Sequence, residues 1–159
     1  MWIGVLLSVV FLLDQGTKLY IKHAMELGET IPVLGNFLRI TYIENPGIAF
    51  GLQIGNNLIF TSLSVIVSLG IALYLFTHLH ESNYMKCSLA IILGGAFGNL
   101  LDRIHYGKVV DFVDIGFQSV RWPVFNVADS AVVIGMILLF ITIFIVEGKK
   151  DKEEKQEIY

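Results

Sequence analysis

Apolar residues dominate four stretches of this chain, at about 2–21, 58–79, 84–104 and 127–146. Each is near the roughly 20 helical residues needed to cross the hydrocarbon core of a bilayer. The second and fourth are clean, and the fourth is almost featureless apolar helix. The first carries Asp14 and Lys18, and the uncharged core of the third, 87–101, is short. Neither contains a proline, and in both the polar residues gather at the C-terminal end. The pattern predicts four membrane-spanning helices.

The connections are unequal. About 35 residues separate the first two spans and about 20 the last two, but only a few, around His80-Glu81-Ser82-Asn83, join the middle pair. Four spans put both termini and this short loop on one side, and both long connections on the other. Asp14 and Lys18 then fall late in span one, Asn99, Asp102 and Arg103 late in span three, and Asp129 early in span four. Topology alone brings them into one leaflet. Basic residues do not fix the side by number: Lys86, Lys149, Lys150, Lys152 and Lys155 lie with the termini, and Lys18, Lys22, Arg39, Arg103, Lys108 and Arg121 towards the long connections. Lys149-Lys150 beside span four favour a cytoplasmic C-terminus. The tail, about 147–159, mixes both signs and reads as a solvated end.

The first long connection is more than a linker. In the β-rich run 37–44, Leu38, Ile40 and Tyr42 share one strand face. Asn45-Pro46-Gly47 makes a turn, and Gly51 and Gly55 break the segment after it. We expect a small sheet on the membrane surface over about 28–57, the alternative being a stiff surface loop.

Composition agrees with one membrane-embedded domain across 1–159: 55% of residues are hydrophobic and 16% charged. A net charge of −3 without a basic stripe argues against nucleic acid as a partner. Cys87 is the single cysteine, so neither an internal disulfide nor a multi-cysteine metal site can form, and it reads as a small apolar residue at a helix end. His78-x-His80 is a weak metal signal, read as a polar loop. The first apolar run lacks a positive leading segment and a small-residue cleavage site, and reads as a retained helix.

Acids at a membrane are costly, roughly 2.5–3.5 kcal/mol for an Asp near the bilayer centre, and usually line a cavity or a reaction site. Asp111 and Asp129 bracket one excursion out of the membrane and back. Held together they could not both ionise easily. One proton shared between them would allow one carboxylate to activate water and the other to protonate a carbonyl oxygen. The alternative makes Asp129 a helix cap and Asp111 a solvated loop acid. Asp114 and Asp102 compete for the second position, although Asp102 adjoins Arg103 in a possible ion pair, and a strand would turn Asp114 away from Asp111.

Asp14 and Lys18, at i and i+4, are spaced to pair. They read either as a neutralised pair that lets span one insert or as a polar wall with Lys18 reaching towards lipid headgroups. Gly94 and Gly98 form a small-xxx-small packing pattern, with Asn99, Asp102 and Arg103 a polar stripe beyond it. Asn126 can cap span four or hold a carboxylate or a substrate carbonyl.

At these residues the chain resembles the bacterial lipoprotein signal peptidases, over nearly its whole length. The matching blocks are Asp14-Gln15-x-Thr17-Lys18; Asn45-x-Gly47-x-Ala49-Phe50; Gly94-Gly95-Ala96-x-Gly98-Asn99-x-x-Asp102-Arg103-x-x-x-Gly107-x-Val109-Val110-Asp111-Phe112; and Phe125-Asn126-x-Ala128-Asp129-Ser130. Ile48 departs from the small residue more usual there. The resemblance implies an aspartyl endopeptidase that removes the signal peptide from diacylglyceryl-modified prolipoproteins, cutting just before the lipidated cysteine. It implies Asp111 and Asp129 as the catalytic pair, with Asp14, Lys18, Asn45, Asn99, Arg103 and Asn126 supporting them or contacting substrate. It further implies four helices with an extracytoplasmic β-rich cradle, a site towards the outer leaflet of the cytoplasmic membrane, both termini cytoplasmic, and no metal or cofactor. Partners would be prolipoprotein signal peptides and membrane lipid, with a monomer expected. The competing classes are a small transporter or channel subunit using membrane acids for ion coupling, and a scaffold whose polar residues only glue helices together.

Overall fold

The computed structural model describes residues 2–49, 52–53, 57–78, 80 and 82–147. Four long helices, α1 (Trp2–Ala24), α2 (Asn57–Thr77), α3 (Asn83–Tyr106) and α4 (Val127–Ile141), are joined by six strands. The strands are β1 (Thr30–Leu34), β2 (Leu38–Asn45), β3 (Ile48–Ala49), β4 (Leu52–Gln53), β5 (Val109–Phe117) and β6 (Val120–Arg121). A π-helical turn, Thr142–Glu147, extends α4. All four helices are long and apolar enough to span a membrane, α4 together with its extension. The expected spans are therefore present, with ends shifted by a few residues; part of the 28–57 segment and most of the tail lie outside the described residues.

α3 is the central post. Of its most apolar 18 residues 56% are buried, against 6% for α2, whose surface is left to lipid. α3 packs on α1, α2 and α4, whereas α2 leans chiefly on α3. Glycines permit the close crossings. A Cβ on Gly94 would stand 2.9 Å from the backbone oxygen of Leu7 on α1, and one on Gly95 would stand 2.5 Å from the backbone oxygen of Ala128 on α4. A Cβ on Gly98 would run into the carboxylate of Asp14. Ser82 caps the start of α3, its hydroxyl accepting from the Met85 amide. At the other end Gly107, with φ of 70°, takes the left-handed turn that releases the chain into β5.

The sheet is antiparallel, in the order β1-β2-β5-β6, with a separate β3-β4 hairpin. The long connection after α1 supplies β1 and β2, as the β-rich run suggests, but the central strand β5 comes from the second long connection. The sheet is thus stitched from both excursions. β2 and β5 pair Asn45 with Val109, Ile43 with Asp111 and Arg39 with Asp114, across an irregularity between Ile40 and Ile43. Buried Tyr42, Val110 and Phe112 pack against Ile21 and Met25 at the end of α1, fastening the sheet to the bundle.

Replacing Gly98 with Ala forces a methyl group against a fully buried carboxylate held by several partners, a conflict expected to cost about 1–3 kcal/mol. Gly16→Ala, where nothing lies within 4 Å, is expected to be neutral or slightly stabilising. Thermal unfolding of both variants in detergent checks the contrast; equal midpoints would refute it.

Candidate active site

Lys18 organises the polar end of the bundle. Its side chain is 3% exposed, and its ammonium meets Asp14 Oδ2 at 2.8 Å, Asp102 Oδ2 at 3.0 Å and Asn99 Oδ1 at 2.8 Å. Three donors find three acceptors, which is what a buried ammonium requires. Lys18 therefore points inward, and its reach towards headgroups is not seen. The pairing with Asp14 is present, as its spacing suggests. Asp102 makes its ion pair across helices, with Lys18.

Each member of this cluster reaches onward. Asp14 Oδ1 accepts from the backbone amide of Ala128 at 2.9 Å, satisfying a donor in the first turn of α4. Asp102 Oδ2 accepts from the Val110 amide at 3.2 Å, fixing the start of β5. Gln15 Nε2 bridges Asp14 Oδ2, the Gly98 carbonyl and Asp102 Oδ1, each at 3.1 Å.

The two asparagines carry the order to Asp111 and Asp129. Because Asn99 turns its oxygen to the Lys18 cation, its Nδ2 must face the other way, and it donates to Asp129 Oδ1 at 2.8 Å. Asn126 is fully buried at the N-cap of α4, in a reciprocal capping box with Asp129. Its Oδ1 accepts from the Asp129 amide at 2.9 Å, so its Nδ2 faces inward and donates to Asp111 Oδ1 at 2.7 Å. It also donates to Asn99 Oδ1 at 3.1 Å.

Asp111 comes from β5. The strand returns along itself until Phe125 bridges Val113: the Phe112 and Val113 amides donate to the Phe125 carbonyl at 3.0 and 2.7 Å. Asn126 and the first turn of α4 therefore start beside Asp111. On the other flank Asn45, at the end of β2, donates to Asp111 Oδ2 at 3.0 Å and turns its own oxygen to the Gly47 amide in a tight turn at 2.9 Å. Each of the four carboxylate oxygens of Asp111 and Asp129 thus receives one donor, the last being the Asn126 amide to Asp129 Oδ2 at 3.2 Å.

Asp111 is 2% exposed. Burial, above all, lifts its carboxyl from the ordinary 3.8 to about 7, with the charge of Asp129 adding to the effect and the Asn45, Asn126 and Lys18 groups opposing it. A proton on Asp111 near neutral pH is what a two-carboxylate reaction needs. Arg103 donates to Ser64 Oγ of α2 at 3.2 Å, and its guanidinium acts on Asp129, Asp111 and Asp102.

The family model for signal peptidase II matches residues 6–145. This chain belongs to the signal peptidase II family. A lipoprotein signal peptidase of Syntrophus aciditrophicus is 41% identical over 150 residues, covering 91% of this chain and 92% of that protein. One from Halalkalibacterium halodurans is 42% identical, covering 92% of this chain and 94% of that protein. A solved bacterial membrane enzyme, 31% identical, superposes with a TM-score of 0.81 over 94% of this chain and 90% of its own. The family assignment makes this a multi-pass membrane peptidase, and the transporter and scaffold readings fall away.

All eight residues named from sequence lie in this one assembly. The alternative of Asp129 as a cap is seen: Asp129 takes part in the capping box of α4 and also presents an oxygen to Asn99. Asp111 as a solvated loop acid is not: it is a buried strand residue. Asp114 faces a different cluster, accepting from Thr41 Oγ1 at 3.0 Å and pairing with Arg121. Sequence reasoning missed Gln15 as a three-way bridge, Asp102 as an anchor for β5, and Ser64 as a partner of Arg103. Gln15 and Asp102 sit in the polar blocks; Ser64 is one of several span serines, with nothing to distinguish it. The Ile48 and Phe50 side chains lie outside the described residues. Among the described residues no three His, Cys, Asp or Glu side chains are grouped as metal ligands.

The raised carboxyl gives a stability signature. The folded protein holds the Asp111 proton more tightly than the unfolded chain, so this group's contribution is present at low pH and is lost as pH rises from 3.8 through about 7. Asp111→Asn removes that dependence. Its unfolding free energy relative to wild type should increase between pH 5 and pH 8, by on the order of 2–4 kcal/mol at full ionisation, read as a rise in relative melting temperature. A constant offset across the range would contradict the assignment.

Proposed function

We propose that this protein removes the signal peptide from diacylglyceryl-modified prolipoproteins, cutting on the N-terminal side of the lipidated cysteine at the outer face of the cytoplasmic membrane. The observation that carries this reading is the pair Asp111 and Asp129, braced by Asn126 between them. Both termini are cytoplasmic in this reading, which the basic pair Lys149-Lys150 beside the last span favours. The protein acts as a single chain, without a metal or organic cofactor and with no role for nucleic acid. Its partners are the lipidated precursor and the surrounding membrane lipid.

Peptide hydrolysis at such a pair needs one proton between two carboxylates. The ionised member takes a proton from a water molecule as the water oxygen adds to the scissile carbonyl carbon. The protonated member gives its proton to the carbonyl oxygen. Collapse of the tetrahedral diol breaks the C–N bond; one hydroxyl proton returns to a carboxylate, and the departing amine of the cysteine receives a proton from the pair. The products are a signal peptide carboxyl group and a free cysteine amine, and the pair ends with its single proton. The donors on the outer oxygens hold each carboxyl plane while the remaining lone pairs face the reaction. Asp14 and Lys18 act through the others: the pair locks Asn99 and the first turn of α4. Arg103, anchored on α2, brings positive charge towards both carboxylates, where it favours the ionised member of the pair.

Asp111→Asn and Asp129→Asn should each lower cleavage by on the order of 10²–10⁴-fold while the protein still inserts and folds. A gel-shift assay in liposomes, using one precursor with and without its diacylglyceryl group, tests this directly. Only the lipidated form should be cut, and wild-type turnover by either variant would end the two-carboxylate mechanism. Asp14→Asn should reduce activity more mildly, or protein level; losses as deep as the pair's at normal abundance would place Asp14 among the catalytic residues.

A further inference from the structure

Two openings lie near Asp129, one lined by it and the other by Asn99, which donates to it, and they differ in chemistry. One, about 240 Å³, lies in the gap between α2 and α4, with Leu63, Ser64 and Val67 on one wall, Asn99 and Arg103 at its floor and Val132 opposite. The other, about 360 Å³, lies between α4 and the segment that follows β6, lined by Trp122, Phe125, Asp129, Ser130, Val133 and Ile134. At 100° per residue Val132 and Val133 sit on opposite sides of Asp129, so the carboxylate stands on the ridge between them. Val133 and Ile134 are 56% and 52% exposed on a membrane-spanning helix, so this second opening is continuous with lipid.

We propose that the opening under Trp122 is the lane for the acyl chains of the substrate's S-diacylglyceryl group, and that the α2–α4 gap takes the signal helix. This assignment rests on the proposed lipidated precursor and concerns how that one substrate is divided. The scissile bond joins the last signal residue to the modified cysteine, so two apolar bodies must leave the catalytic pair for the bilayer within one residue of each other. The α2–α4 gap offers Ser64, Asn99 and Arg103, groups suited to the amides of a peptide. Apart from Asp129 and Ser130, the other opening offers aromatic and branched aliphatic surface, suited to methylene chains.

This also gives work to groups that the hydrolysis does not use. Trp122 is held where it is by its amide, which donates to the Ile115 carbonyl at 2.8 Å, and by its neighbour Arg121. Arg121 is pinned through the buried Asp114 carboxylate and, at 2.9 Å, the Asn36 carbonyl. The Asp114–Arg121 pair thus fixes the roof of the lane, and Asp114 is a positioning residue for lipid rather than a second catalytic acid.

The test compares cleavage of one precursor carrying either a dipalmitoylglyceryl or a dihexanoylglyceryl group. Val133→Trp, which fills the lane, should lower the long-chain to short-chain ratio of kcat/KM by about tenfold or more, chiefly through KM. Val67→Trp, in the α2–α4 gap, should lower cleavage of both substrates and leave the ratio near wild type. A palmitoyl chain bearing a terminal diazirine, bound to the Asp129→Asn variant, should crosslink to α4 or the β5–β6 hairpin; this holds even where a lane-filling variant folds poorly. Crosslinks confined to α2, or a chain-length effect that follows Val67→Trp instead of Val133→Trp, would overturn the assignment. Failure of wild type to cut either substrate would overturn the proposed function itself, and this inference with it.

Discussion

The structure depends on a lysine ammonium held away from water inside a membrane helix bundle. Lys18 can stay charged there only if each of its three protons meets an acceptor. The acceptors available are Asp14 on its own helix and Asp102 and Asn99 on α3. Each of those groups also reaches onward: Asp14 through its second oxygen to the Ala128 amide, Asn99 through its nitrogen to the Asp129 carboxylate, and Asp102 through the same Oδ2 to the Val110 amide. Buried ion pairs are weak evidence of stability, because well-packed apolar residues often serve as well. Here the network supplies direction. An apolar replacement could hold the helices together but could not tell Asn99 which way to point.

That direction matters because the two carboxylates sit on unlike elements. Asp129 belongs to the first turn of α4, fixed by capping and by α3. Asp111 belongs to a strand whose partner, β2, comes from the other long connection. Their approach therefore depends on three anchors outside either residue: the Val110 amide on Asp102, the Phe125 bridge to Val113, and the Tyr42, Val110 and Phe112 cluster on α1. The surface sheet is not a cover laid over a finished helical site. It carries Asp111, half of the proposed catalytic pair, and Asn126 is the joint between the halves.

Much of this was legible in the sequence. The four spans came from apolar length, and the shared leaflet of Asp14, Lys18, Asn99, Asp102, Arg103 and Asp129 came from the parity of the spans. Gly94 and Gly98 announced close packing by their spacing. Less legible were features that depend on pairing between distant segments. The run 109–117 reads as the exit from a helix into a loop; only its register with β2 makes it a central strand. Lys18 on its own helix can snorkel outward or turn inward, and the choice is made by two acceptors some eighty residues away. Asp102 beside Arg103 invites a local pair, whereas a glycine at 98 lets α1 approach closely enough for Lys18 to take it.

The same geometry suits the proposed combination of hydrolysis with a lipidated substrate. Water must reach the carboxylates, yet the groups beside the scissile bond belong in hydrocarbon. A site at the bilayer midplane would exclude the water, and one on a soluble face would expose the chains. With one acid at a helix N-terminus and the other on a strand outside the spans, the proposed reaction falls at the boundary itself. The burial of Asp111 then does two things at once: it keeps a proton on that carboxyl near neutral pH, and it confines the polar region to a strip narrow enough for apolar walls to begin at Val132 on one side of Asp129 and Val133 on the other.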